Sequence, residues 1–286
     1  MALSVMGGCQ ATLFVIKAME LVIALILTMS TLLLILSRPR LRKQHYIFPF
    51  NLTLADLTGV LAYAFIEIMR YHNQGIIYAT DLLALPSILV MTVIVSNMSI
   101  LLVAIYQLIT IRIDPFGVKN IITTPRCIIT CAVTWFIVAG LGIAVYRFSY
   151  QYDIMYSCII VVSLVATSIC YIFIYRSVAR VESNGNIQLE ERKKENQRVL
   201  RTFCMVMGTT VLFMLYPVGF GLCRYLIHYT LPLELHFCIV YIQETMVITN
   251  YIANSLIYWW RLKDFRSVIT TFIKGCNTSG THVIEM

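Results

Sequence analysis

The chain has 286 residues, of which 59% are hydrophobic and 13% are charged, and its mean hydropathy is +0.80. Soluble domains carry roughly 25% charged residues, so this composition excludes a soluble globular fold. The net charge of +8 is compatible with nucleic-acid binding, but the basic residues lie in short gaps between long apolar stretches. That placement indicates a membrane protein and argues against a nucleic-acid partner.

Seven apolar stretches are each long enough to cross a membrane, since about 20 residues of helix span a hydrocarbon core of roughly 30 Å. Only helices and closed barrels satisfy their backbone polar groups in lipid. The sequence therefore predicts an all-α membrane protein, a seven-transmembrane helix bundle. The predicted spans are 12–37, 46–69, 82–108, 127–147, 155–179, 200–226 and 235–259.

A short amphipathic eighth helix is predicted after the seventh span, which divides the chain into a membrane domain at 1–260 and a tail at 261–286. Basic residues alternate there with apolar residues at helical spacing. Cys276 follows this stretch near the membrane, where it is either reversibly palmitoylated or a free thiol. The apolar positions of the stretch are Trp259, Leu262, Phe265, Ile269 and Phe272.

The distribution of Lys and Arg predicts the orientation of the chain. Most of the 22 basic residues lie in alternate gaps and in the C-terminal tail. Because positive residues stay on the cytoplasmic side, we expect the N-terminus outside and the C-terminus in the cytoplasm. We further expect a multi-pass protein of the plasma membrane whose basic residues contact anionic membrane lipid.

Motifs in five spans resemble those of the rhodopsin-like (class A) G-protein-coupled receptors. Span two carries NLTLADL at 51–57, span three ends in AIYQLITIRIDPF at 104–116, and span seven ends in NSLIY at 254–258. These are similar to the family's NLAxADL, AxDRYxAIxxPL and NPxxY. Trp135 in span four and Pro217 in span six complete a series that runs in family order along nearly the whole chain.

Several motifs depart from the family pattern. The DRY motif reads YQL at 106–108, so its arginine is absent, and Leu215 stands in the place of the toggle tryptophan. Ser255 replaces the proline of NPxxY. The chain also lacks the family's usual loop disulfide and its span-five proline, and its second outer loop is short. In these features it resembles the melanocortin, lysophospholipid, cannabinoid and adenosine receptors.

The resemblance implies a sodium ion bound by oxygen atoms of four side chains in the membrane interior, since such oxygens suit a hard cation. The alternative is a hydrogen-bonded polar cluster with a protonated aspartate. No other cofactor is expected. The residues that match the family's sodium ligands are Asp56, Ser96, Asn250 and Asn254.

Acidic residues near the outer ends of spans two and seven, together with Asp81, favour a cationic or peptide ligand. The alternative is that they extend to water at the interface. A cavity lined by apolar residues would also accept a small molecule or a lipid. The candidate ligand-binding residues are Glu67, Leu89, Val93, Leu215, Phe220, Gln243 and Glu244.

The resemblance implies a divergent receptor that transmits an extracellular ligand signal to a heterotrimeric G protein. The alternative is a non-signalling decoy or heteromer partner with the receptor fold. An ion pathway through Asp56 is disfavoured, because no polar line crosses one helix face. No catalytic motif is present, so enzymatic activity is not expected. The candidate coupling and switch residues are Tyr106, Gln107, Leu108, Tyr175, Pro217 and Tyr258.

Overall fold

The computed structural model of the chain is almost entirely helical within the residues that it describes, as expected for an all-α protein. The described residues are 8–41, 44–72, 84–113, 121–147, 152–180, 197, 200–202, 204–219, 233–261, 265–267 and 270. Three residues of the predicted sites, Asp81, Phe220 and Cys276, lie outside them.

Seven long helices are present in this part of the chain, and a turn of π-helix at Ile109–Ile113 continues the third. The predicted spans agree with the helices to within about four residues at each end, a usual error for helix boundaries. The last seven residues of predicted span six lie outside the described part. The helices are α1 Gly8–Ser37, α2 Ile47–His72, α3 Ala84–Leu108, α4 Thr124–Arg147, α5 Tyr152–Arg180, α6 Leu200–Gly219 and α7 Leu233–Arg261.

Six of the helices, α1 to α6, are long and apolar enough to cross a membrane, which indicates a multi-pass membrane protein. Helix α7 has 29 residues but is not among the six. Its middle carries polar side chains, among them Gln243, Glu244, Asn250 and Asn254. Composition alone therefore does not establish α7 as a seventh span.

Helix α3 lies at the centre of the fold and packs against α2, α4 and α5, whereas α1 packs against α2 and α7. Large apolar side chains on the peripheral helices point outward, such as Phe136 on α4 and Leu212 on α6, which are 78% and 64% exposed. Apolar surface of this extent is compatible with lipid and not with water.

A hydrogen-bonded bridge joins three helices near the start of α2. The Trp135 indole on α4 donates to Asn51 Oδ1 at 3.0 Å, and Asn51 Nδ2 donates to Ser99 Oγ on α3 at 2.7 Å. Asn51 and Ser99 are buried, so each polar group has a protein partner where lipid offers none. The bridge therefore fixes α4 and α3 to α2 at one register.

A side chain at Gly59 on α2 would meet side chains of both α3 and α7. A Cβ atom on Gly59 would lie 2.7 Å from the Tyr251 hydroxyl oxygen and 3.0 Å from Thr92 Oγ1. Tyr251 is fully buried and Thr92 almost so, which leaves neither side chain room to retreat. The absence of a side chain at Gly59 thus allows the contact of three helices.

Of the predicted eighth helix, only residues 265–267 and 270 are described, so that helix stays a prediction. Phe265 is fully buried there, and its ring centroid lies 6.0 Å from that of Tyr46. The start of the tail is therefore attached to the turn between α1 and α2.

We expect Gly59→Ala to destabilise the fold by about 1–3 kcal/mol, because an added methyl group in a filled interior forces its neighbours apart. Thermal unfolding of the purified protein in detergent measures this change. Gly140→Ala is the matched control, since Gly140 lies on α4 with no atom within 4 Å of its added Cβ. Equal melting temperatures for both variants would contradict the close approach at Gly59.

Candidate functional site

Charged side chains from α1, α2 and α7 meet at the end of the fold where α1 begins. Lys17 Nζ on α1 binds Glu67 Oε1 on α2 at 2.5 Å, and it also binds Glu244 Oε2 on α7. Lys17 is completely buried, although α1 is mostly apolar. One ammonium group thus connects three helices.

A second cation completes the same cluster. Arg70 Nη1 lies 2.7 Å from Glu67 Oε1 and 2.9 Å from Glu244 Oε2, and Arg70 Nη2 lies 3.0 Å from Glu244 Oε1. The guanidinium group therefore binds Glu244 with two parallel hydrogen bonds, the strong geometry for such pairs. We call Lys17, Glu67, Arg70 and Glu244 the ion network.

Aromatic rings border the network. Lys17 Nζ lies 5.0 Å from the Tyr241 ring centroid and 5.5 Å from that of Tyr63, and Arg70 Cζ lies 5.3 Å from the Tyr241 ring. At these distances the faces of the rings attract both cations. Two cations and two carboxylates give the network no net charge, which suits groups removed from water.

A third carboxylate lies one turn further along α1. Glu20 Oε1 accepts a hydrogen bond from Thr249 Oγ1 on α7 at 3.4 Å, a long distance for a hydroxyl donor. Its other oxygen, Oε2, is buried and has no hydrogen-bond partner in the described structure. The negative charge of Glu20 is therefore less well compensated than the charges of the two carboxylates in the ion network.

A separate polar cluster surrounds Asp56, about 16 Å along α2 from Glu67. Ser96 Oγ on α3 donates to Asp56 Oδ1 at 2.8 Å, and Asn254 Nδ2 on α7 donates to Asp56 Oδ2 at 3.0 Å. Asp56, Ser96 and Asn254 are each at most 2% exposed. Both oxygens of the carboxylate are therefore held, and α2 is joined to α3 and α7.

Further oxygens near Asp56 lack a partner. The Asn254 Oδ1 atom and both amide atoms of Asn250 are buried without a hydrogen bond in the described structure. Asn250 lies four residues before Asn254, on the same face of α7. With Asp56 and Ser96, these side chains supply four oxygen atoms that could act as metal ligands, a set that fits a small hard cation.

The opposite end of the fold buries an amide. Gln107 on α3 is 5% exposed, and both of its amide atoms lack a hydrogen-bond partner among the described residues. Tyr258 on α7 is fully buried, whereas Tyr175 on α5 is 68% exposed. Tyr106 is half-buried, with its ring edge-on to that of Phe48 at 5.7 Å. The structure therefore does not bring Tyr175 into the interior with Tyr258.

The predicted ligand-binding residues separate into three groups. Glu67 and Glu244 come together, but both are bound to cations of the chain itself. Leu89 and Val93 on α3 lie in the apolar core between the helices. Leu215 is 69% exposed on the outer surface of α6, away from that interior. Gln243 is half-buried on α7, and Pro217 is buried on α6.

Sequence reasoning missed the roles of Lys17, Glu20, Arg70 and Tyr241. The charge pattern of the sequence assigns no role to Lys17 or Arg70, which lie outside the gaps that hold most of the basic residues. A usable signal existed, because a lysine and a glutamate three residues apart within a long apolar span are costly unless they have partners. Their partners lie on other helices, so the sequence does not identify them.

No model of a known protein family matches this chain, and no curated protein matches it significantly.

We expect Lys17→Met to lower the free energy of unfolding by about 3–5 kcal/mol, because it leaves two buried carboxylates with one cation. Thermal unfolding in detergent and delivery to the cell surface measure the loss. The double variant Lys17→Met with Glu67→Gln retains one cation and one carboxylate, so most of the stability should return. A double variant as unstable as Lys17→Met alone would contradict charge balance as the cause.

Proposed function

We propose that the chain is a divergent rhodopsin-like receptor that passes an extracellular ligand signal to a cytoplasmic G protein. The observation that carries this proposal is the Asp56 cluster. Residues chosen from motifs in separate spans, Asp56, Ser96 and Asn254, are in direct contact through two hydrogen bonds. Trp135 and the NLTLADL segment are likewise joined through Asn51. Because these residues belong to separate motifs, their contact supports the alignment of those motifs with the motifs of the family.

In this proposal α7 is a seventh span, although its composition is polar. Its polar side chains bind other helices: Glu244 binds Arg70, Asn254 binds Asp56, and the Trp259 indole donates to Thr31 Oγ1 at 2.8 Å. Polar residues are tolerated in a membrane where they face a protein partner. Seven spans and the basic gaps then favour an outer N-terminus and a cytoplasmic C-terminus in the plasma membrane.

The ion implied by this reading is sodium at the Asp56 cluster. Asp56 would hold it, with Ser96, Asn250 and Asn254 as the remaining oxygen donors. A bound cation supplies the positive charge that the buried Asp56 carboxylate lacks. Because the donors belong to α2, α3 and α7, the ion favours the arrangement in which these three helices are close together.

We expect the ligand to be an apolar molecule. Glu67 and Glu244 are each bound to both Lys17 and Arg70, so a cationic ligand or peptide amine would have to displace a buried ion pair. Leu89 and Val93 line an apolar interior. A small apolar molecule or a lipid therefore fits this end of the receptor better than a cation does.

Gln107 stands where relatives carry the arginine that enters the G-protein site. Its buried, unpaired amide is polar but uncharged. A neutral group makes weaker hydrogen bonds than a guanidinium group does, so we expect weak coupling. The same observation favours the second candidate, a decoy or heteromer partner that keeps the fold without signalling.

We expect Asp56→Asn to abolish stabilisation by sodium, because it removes the only anionic oxygen of the cluster. The measurement is the melting temperature in sodium chloride compared with choline chloride at the same ionic strength. The wild-type protein should melt higher in sodium, and Asp56→Asn equally in both salts. Ser30→Ala, at an exposed serine on α1, should retain the sodium effect. An equal increase in melting temperature by sodium in wild type and Asp56→Asn would contradict sodium binding at the Asp56 cluster.

We expect Gln107→Arg to raise basal G-protein activation in cells, because it restores a charged donor at the cytoplasmic cleft. The assay is a panel of G-protein activation sensors, with surface expression measured in parallel. Thr110→Arg, which adds the same charge at an exposed position three residues away, should leave activity at the wild-type level. Silence from both wild type and Gln107→Arg at normal surface levels would favour the decoy or partner instead.

A further inference from the structure

The interface of α1 with α2 and α7 carries more acid than base. The described charged groups there are two cations, Lys17 and Arg70, and three carboxylates, Glu20, Glu67 and Glu244. The tyrosines that border them, Tyr63 and Tyr241, are neutral. One negative charge is therefore uncompensated in a region where α1 is otherwise apolar, and such a charge is unfavourable away from water.

Glu20 is the carboxylate that lacks a cation. Glu67 and Glu244 each bind both Lys17 and Arg70 directly. Lys17 acts on Glu20 only through its charge, without an ion pair, and its ammonium group is already held by the other two acids. The surplus negative charge is thus assigned to Glu20.

The same interface lacks hydrogen-bond donors. Glu20 Oε2 and Glu67 Oε2 are both buried without a partner, and Glu67 as a whole is 8% exposed. A buried acceptor with no donor loses its hydration without replacement. A single proton supplies what the interface lacks, since it adds one positive charge and turns one carboxylate oxygen into a donor.

We propose that the interface of α1 with α7 is a proton-binding site, in which Glu20 takes up one proton from the outer side. The protonated Glu20 is neutral, so the charges of Lys17, Arg70, Glu67 and Glu244 then balance. A Glu20 exposed to water by separation of α1 from α7 releases the proton. Acid therefore favours packing of α1 against α7, whether or not the chain couples to a G protein.

Proton linkage determines whether the stability of the packed state rises or falls with pH. The packed state binds one proton more than the separated state, so stability rises as pH falls and is lost as pH rises. This dependence is opposite to that of an ordinary carboxylate in an ion pair, which loses stability in acid. The direction of the effect therefore distinguishes Glu20 from the acids of the ion network.

The test is the melting temperature of the full chain in detergent, followed by tryptophan fluorescence from about pH 5 to about pH 8. We expect the wild-type protein to lose up to about 3 °C per pH unit as pH rises. Glu20→Gln imitates the protonated acid, so it should melt higher than wild type at high pH and show a flatter profile. Thr249→Val removes the hydroxyl that contacts Glu20 Oε1 and the Thr245 carbonyl oxygen, and it should keep the wild-type slope.

The infrared carbonyl band of a protonated carboxylic acid gives a second readout that a merely structural role would not move. Asp56 is a second buried acid without a cation and can contribute to this band. The part of the wild-type band at low pH that Glu20→Gln removes should therefore remain in Asp56→Asn. A pH slope that persists in Glu20→Gln but vanishes in Glu67→Gln would overturn the assignment to Glu20. A wild-type melting temperature that is independent of pH, or that changes with sodium and not with pH, would overturn the proton site altogether.

Discussion

Lipid offers no hydrogen-bond partner, so a polar side chain inside the membrane is favoured where the protein supplies one. This constraint accounts for the polar side-chain links between the helices. The Asn51 bridge, the Asp56 cluster and the ion network each join three helices. Since apolar side chains pack against lipid about as well as against each other, such polar links specify which helices are neighbours.

Helix α7 depends on this constraint more than the other helices do. Its polar residues leave it out of the six helices that are apolar enough to cross a membrane, yet these residues contact partner groups on α1 and α2. Glu244 meets Lys17 and Arg70, and Asn254 meets Asp56. Helix α7 is therefore suited to the interior of the protein and not to lipid. The lysine of α1 and the acids of α2 and α7 are stable there only as a set.

The two acidic regions have different roles in the proposed receptor. The Asp56 cluster has spare oxygens and a single negative charge, the features on which we base the proposed sodium site. The ion network is neutral and occupied by its own lysine and arginine, which disfavours a cationic ligand at that end. Glu20 lies beside the network without a counterion. In the two proposals, each region links a small ion, sodium or a proton, to the packing of α7 against its neighbours.

The sequence alone determined the class of fold and the bounds of the helices. Apolar runs of membrane length are local properties, and they agree with the helix ends to within about four residues. The motifs also select Asp56, Ser96 and Asn254, which the structure joins by hydrogen bonds. The sequence likewise indicates Glu67 and Glu244 as candidate ligand-binding residues, but it does not indicate that both pair with Lys17 and Arg70. Only the tertiary structure decided this, because Lys17 and Glu244 are 227 residues apart and no local pattern relates them.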